Sequence, residues 1–197
     1  MEADDAAVVA RARGGDPGAF RDLVESHSRH LFHLAYRITG NESDAEDVVQ
    51  ETFLKAYRAL PRFEPRANLG TWLRRIAANQ ALDVMRARRR QGLRAHGSGS
   101  AEDPTGSADP LDSLREKGPS PDRLLLSSEV ALRVRRAMSL LSPNERAAFV
   151  LRHFEDMSNE EIGRALGLRE NAAKQSVLRA VRKLRRVLEP VAGPARC

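Results

Sequence analysis

LSPNERAAFVLRHFEDMSNEEIGRALGLRENAAKQSVLRAVRKL, residues 141–184, decides the fold. Ser142-Pro143 with Glu145 opens one helix: a hydroxyl cap, a proline at the first helical position and a carboxylate three residues after the cap. Ser158 with Glu161 opens a second helix, and Gly167 is placed to end it in the left-handed conformation. A third helix is expected from about Glu170 to Leu188. Ile162, Ala165 and Leu166 make one side of the middle helix apolar, Leu168 follows the turn, and Ala173 and Val177 supply small or apolar inward positions afterwards. This is a helix-turn-helix pattern. Its last helix is basic, with Arg169, Lys174, Arg179, Arg182, Lys183, Arg185 and Arg186 against Glu170 and Glu189. The start of such a second helix enters the major groove of duplex DNA. Asn171, Lys174, Gln175 and Arg179 are therefore candidates for base edges or phosphates. The plainer alternative is a helical hairpin with a solvated basic face.

Upstream, Leu124 to Leu141 reads as one amphipathic helix, which completes a C-terminal block over 122–197. Before it, residues 92–121 are rich in Gly, Ser, Pro and Asp, as in GSGSAEDPTGSADP. Too little apolar side chain is present there to offset the entropy of ordering, so a flexible, mildly acidic linker is expected. Residues 1–91 form a second helical block. Asp16-Pro17 caps a helix whose stripes are Phe20, Leu23, Val24, Leu31, Phe32, Ala35 and Ile38, closed by Gly40-Asn41. Ser43 and Glu46 form a capping box for the next helix, in which Ala45, Val48, Val49, Phe53, Tyr57 and Leu60 share one face. Pro61 and Pro65 bracket a loop, and Thr71 caps a long helix through Trp72, Leu73, Ile76, Val84 and Met85 to Arg88-Arg89-Arg90. The fold class is all-α: two small helical domains on a flexible linker, the C-terminal one containing the helix-turn-helix.

Composition agrees with that class. The 197 residues carry 41% hydrophobic but only 5% aromatic side chains, and alternating strand patterns are absent. Net charge is +6, from 33 Lys and Arg against 27 Asp and Glu, a mild pointer toward nucleic acid. Cys197 is the single cysteine, which excludes an internal disulfide or a thiolate zinc site and suits a reducing cytoplasm. The acidic start MEADDAAVVARARGGD is not expected to be a signal peptide, and no apolar run approaches the ~20 residues of a membrane helix, so no membrane insertion is expected.

Two polar faces in the first block admit a functional reading. Asp44, Asp47 and Glu51 lie on one side of their helix with Gln50 beside them. Acids early and bases late also suit the helix dipole alone; the alternative is a docking surface for a basic partner helix. Arg75, Asn79, Asp83, Arg86 and Arg90 fall in one sector at ~100° per residue. Beside them lies the loop from Arg62 to Asn68, in which Phe63 could stack and Asn68 could hydrogen-bond an unstacked base. An ordinary exposed helix face, with Phe63 in the core, remains the other possibility; Trp72 is expected in the core in either case. His27, His30 and His33 spread around their helix and make a poor metal site. No phosphate loop, nucleophile elbow or catalytic carboxylate pair is present, so neither catalysis nor a cofactor is expected.

Taken in order, these segments resemble the extracytoplasmic-function (ECF) class of bacterial RNA polymerase sigma factors. ITGNESDAEDVVQETFLKAYRALPRF is similar to the segment that binds the clamp coiled coil of the polymerase largest subunit. TWLRRIAANQALDVMRARRR resembles the helix that recognises the −10 element, and LSPNERAAFVLRHFEDMSNEEIGRALGL the start of the −35-binding domain. The resemblance implies core RNA polymerase and promoter DNA as partners and an anti-sigma factor as a possible third. It implies polymerase contact at Asp44, Asp47, Gln50 and Glu51. It implies −10 contact at Phe63, Asn68, Arg75, Asn79, Arg86 and Arg90, and −35 contact at Asn171, Lys174, Gln175 and Arg179. The linker would thread a basic channel of the polymerase. One departure stands out. Where the family commonly has Ser-Glu-Gly-Thr-Val-Lys-Ser-Arg-Leu, this chain has Arg169 to Val177, with Arg169 in place of a capping serine and Ser176 in place of an arginine. Leu178 and Val181 replace commonly polar positions and suit contact with an inhibitor. Two rival readings are an operator-binding regulator that works without polymerase and a nucleic-acid-processing enzyme; the acidic helix speaks against the first, the missing catalytic constellation against the second.

Overall fold

In a computed structural model, residues 2–64, 68–95 and 121–188 are described, and among them the secondary structure is entirely helical. The helices are α1 (Glu2–Arg13), α2 (Pro17–Thr39), α3 (Glu42–Ala59), α4 (Leu69–Ala95), α5 (Pro121–Ser139), α6 (Pro143–His153), α7 (Asn159–Leu166) and α8 (Glu170–Leu188), with a 3₁₀ turn at Leu60–Arg62. Helices α1–α4 pack as one bundle and α5–α8 as another. Apart from residues 92–95, which end α4, and Pro121, which begins α5, the expected linker lies outside the described residues. So do Pro65 to Ala67 of the expected base-capture loop, and Cys197.

Local chemistry sets most helix ends. Asp16 caps α2 through Gly18 N–H, and Gly40 closes it at φ 73°. Ser142/Glu145 and Ser158/Glu161 both form complete capping boxes, and Gly167 ends α7 at φ 65°. Two caps differ from expectation. Asn41, not Ser43, caps α3 by accepting from Asp44 N–H. Asn68, not Thr71, heads α4, its Oδ1 accepting from Thr71 N–H at 2.9 Å. In both places an asparagine two or three residues upstream is an equally good cap, and a longer helix gains the extra backbone hydrogen bonds. Helix α1 was not foreseen. Its Val9 is buried with the α2–α4 core, which supports a segment whose own periodicity is weak.

The first core holds Leu31, Leu34, Ile38, Val48, Ala77, Ala81 and Leu82, and the second Val150, Leu151, Ile162, Ala165, Ala173 and Ala180. Tyr57, expected inside, is 62% exposed, its ring set edge-on to Phe20 at 4.9 Å. Gly163 is the tightest point of the helix-turn-helix. A Cβ there would stand 2.8 Å from the Leu168 carbonyl oxygen and 3.4 Å from the Glu170 nitrogen. Because these are backbone atoms, the turn cannot yield by moving a side chain. Gly163→Ala is expected to lower stability by about 1–3 kcal/mol, as overpacking does, read as a lower urea midpoint.

Candidate nucleic-acid interface and docking face

Helix α8 is placed by one carboxylate. Glu145, buried on α6, accepts Ser142 N–H at 2.9 Å through Oε2, which also accepts from Lys183 Nζ at 2.7 Å. Its Oε1 is 3.4 Å from Arg179 Nε. Burial by itself would raise the Glu145 pKa; the Lys183 hydrogen bond, the Ser142 N–H and the Lys183 charge outweigh it and hold the carboxyl below its ordinary value. Arg179, expected to reach DNA, is thus drawn toward α6 and also donates to Ser176 Oγ at 3.4 Å. Asn171, Lys174 and Gln175 stay exposed on the first turns of α8, with Leu178 next on the same face. Ser176 is turned inward, its hydroxyl donating to the Ala172 carbonyl. It therefore offers nothing to a groove-facing surface.

On α4, Asn79 and Arg90 are exposed and Arg75 half-buried. Arg86 is shared: its Nη1 lies 3.5 Å from Asp83, and its Nη2 donates to Asn144 Oδ1 of α6 at 3.0 Å. The stripe read from the sequence therefore splits, one end open and the other against the second bundle. Phe63 departs from expectation. It is 6% exposed and packs on Trp72 at 4.9 Å between ring centroids, so both rings serve the core, and Phe63 has no free face for a base. Asn68 is exposed, with its Oδ1 engaged as the α4 cap.

The acidic face of α3 also sorts into two kinds of group. The Asp44 side chain is only 13% exposed and pairs with Arg88 of α4 at 2.8 Å. Burial raises its pKa, Arg88 opposes the shift and Asp47 adds to it. Asp44 therefore ties α3 to α4 instead of facing solvent. Asp47 and Gln50 are exposed, and Glu51, half-exposed, lies 3.8 Å from Lys55. Between them on the helical wheel, Leu54 is 51% exposed. On this face the exposed leucine has Asp47 and Glu51 to one side and Gln50 to the other. Sequence reading passed over Leu54; its only signal was an apolar residue at the angular position of the acids.

The comparisons with known proteins bear on the whole arrangement. The family Sigma-70 region 2 matches residues 23–91, and Sigma-70, region 4 matches residues 131–184. The ECF RNA polymerase sigma factor SigM of Mycobacterium tuberculosis is 32% identical, over 95% of this chain and 86% of its own length. This chain belongs to the ECF RNA polymerase sigma factors. It is also 34% identical to SigE of Mycolicibacterium smegmatis over 83% of its length, and spans 59% of that longer relative. Among solved structures, the sigma factor RpoE in complex with the anti-sigma factor NepR from Bartonella quintana matches with a TM-score of 0.60 at 26% identity, covering 86% of this chain and 96% of that one. Among the described residues no helix is long and apolar enough to cross a membrane.

The Glu145 arrangement has an acid signature. A carboxyl held below its unfolded pKa stabilises the fold above that unfolded value, ordinarily about 4.3, and this contribution is lost as pH falls through the folded pKa. Glu145→Gln is therefore expected to lower the urea midpoint at pH 7. The gap to the native protein should shrink steadily below about pH 4.3.

Proposed function

We propose that the protein binds core RNA polymerase and directs promoter-specific initiation. In this reading α1–α4 dock on the polymerase and take the −10 element, while α5–α8 hold the −35 element as duplex. The observation that carries it is the coexistence, in one chain of this family, of an exposed acid-and-leucine face on α3 with a helix-turn-helix whose leading polar residues are free. Asp47, Gln50, Glu51 and Leu54 would form the polymerase contact. Asn68, Arg75, Asn79, Arg86 and Arg90 would form the −10 surface, and Asn171, Lys174 and Gln175 the −35 surface. Asp44 would support docking through Arg88, and Arg179 would contribute from the edge of its surface once turned from Glu145. The domains would divide as 1–91 and 122–197, joined by 92–121. The protein would act in the cytoplasm without a cofactor, and the polymerase would perform the chemistry.

An anti-sigma partner belongs to the same reading. A structural relative is bound to one. A largely apolar groove of about 230 Å³ lies between the bundles, lined by Tyr36, Val134, Met138, Phe149, Leu184 and Leu188 among others. Leu178 and Val181 add exposed apolar surface on α8.

The deciding experiment is transcription in vitro with core polymerase and a promoter library. Initiation at defined sites is expected only when the protein is added, and its absence everywhere would overturn the proposal. Asp47→Lys with Glu51→Lys is expected to weaken core binding at least about tenfold, as reversing charges at a complementary interface costs on the order of a few kcal/mol. The folded helical signal should persist. Lys174→Ala is expected to lower the slope of log affinity for the upstream duplex against log salt by about one, the signature of a lost phosphate contact.

A further inference from the structure

Helix α8 carries a leucine in the middle of its polar outer face. Leu178 is 38% exposed. At ~100° per residue, Asn171, Lys174, Gln175 and Arg182 fall within about 60° of it, and all four are exposed. The buried side chains of the helix, Ala173, Ser176, Ala180 and Leu184, lie on the opposite side. Lys174 stands about one turn before Leu178 and Arg182 about one turn after it. Leu178 therefore sits in a row of hydrogen-bonding side chains, away from the core. Val181, equally exposed, is placed differently. It is turned about 60° from Leu178, toward Val177 and Leu188, which pack against the core.

A single exposed leucine is ordinary on a surface that stays in water. This one lies on the face that enters a major groove in the −35 reading proposed above, on which the inference rests. In a groove its chemistry becomes selective, because leucine neither donates nor accepts a hydrogen bond. Against guanine it would cover N7 and O6, against cytosine the N4 amino group, and against adenine N7 and N6. Each of those groups would lose water and gain no partner, which disfavours the complex. Thymine differs: it presents an apolar group in the major groove, its C5-methyl. Burying that methyl against the leucine removes apolar surface of both from water. Two polar neighbours on α8 are already committed elsewhere, Ser176 to the Ala172 carbonyl and Arg179 toward Glu145.

We propose that Leu178 is a specificity-determining residue, selecting a thymine of the upstream element through its C5-methyl group. Leu178 is about 6 Å along α8 from Lys174, at 1.5 Å per residue. Successive base pairs are about 3.4 Å apart. The thymine therefore lies within about two base pairs of the group that Lys174 contacts. The two side chains divide the work: Lys174 supplies attraction that any sequence receives, and Leu178 supplies choice of base.

The test selects binders from promoter duplexes with a randomised upstream element, using the full chain assembled with core polymerase at one fixed salt concentration. The selected elements are expected to share a thymine. Replacing that thymine alone by deoxyuridine removes one methyl group and leaves every hydrogen-bonding group in place. Affinity is expected to fall about fourfold, the equivalent of one buried methyl. In Leu178→Ala, which keeps a good helix former at an exposed position, the same replacement should leave affinity unchanged, and selection should no longer demand the thymine. Leu178→Met, still apolar at its tip, and Val181→Ala should both retain the methyl response. Selected elements with no shared thymine, deoxyuridine bound as tightly as thymine, or a methyl response that survives in Leu178→Ala would each overturn the proposal. If Leu178→Ala also binds DNA with native affinity, the leucine belongs to a protein contact instead. Enrichment no better than with core polymerase alone would remove the proposed function and this inference with it, whereas enrichment without a methyl response removes this inference alone.

Discussion

The Glu145 carboxylate is the constraint on which the second bundle depends. It completes the cap of α6 and, through Lys183 and Arg179, sets α8 against that helix. A capping glutamate ordinarily serves only its own helix end. Here its second oxygen and remaining lone pairs reach a helix 38 residues further on, so local helix initiation and tertiary placement share one group. Gly163 supplies the complementary constraint, letting the backbone of the turn close to a distance that no side chain would permit.

Charge on this surface falls into two classes. Arg88, Arg86, Lys183 and Arg179 are engaged in defined pairs, whereas Lys174 and Asp47 are exposed on faces where a partner can approach. The second class is open to a partner, because an exposed group gives up only water on binding. The first class builds the platform. The contacts of Glu155 with His30 and of Arg146 with the Arg37 carbonyl form a third set, spent between the two bundles. Together with the Arg86–Asn144 hydrogen bond, they join groups 58 or more residues apart and relate the two halves to each other.

Much of this was legible in the chain. The capping boxes at Ser142 and Ser158, the terminating Gly40 and Gly167, and the inward Ala173 are local signals, each complete within a few residues. The family itself was legible because long segments follow one another in order. The misplaced caps at Ser43 and Thr71 show where local reading weakens: when several polar residues can cap, the longest helix that the core tolerates prevails, and Asn41 and Asn68 take the role. Tyr57 and Leu54 show the limit of periodicity, which assigns an angle on the helix but not the neighbour waiting at that angle.

Sequence alone determined the all-α class, the helix-turn-helix and its basic last helix, because hydrogen bonds between residues three or four apart and the burial of a helical stripe depend on adjacent chemistry. Only the tertiary structure decided that Asp44 is tied to Arg88, Arg179 to Glu145 and Phe63 to Trp72. Whether a charge or a ring is free depends on what another helix brings within a few ångströms of it, and that proximity is created by the packing of distant segments.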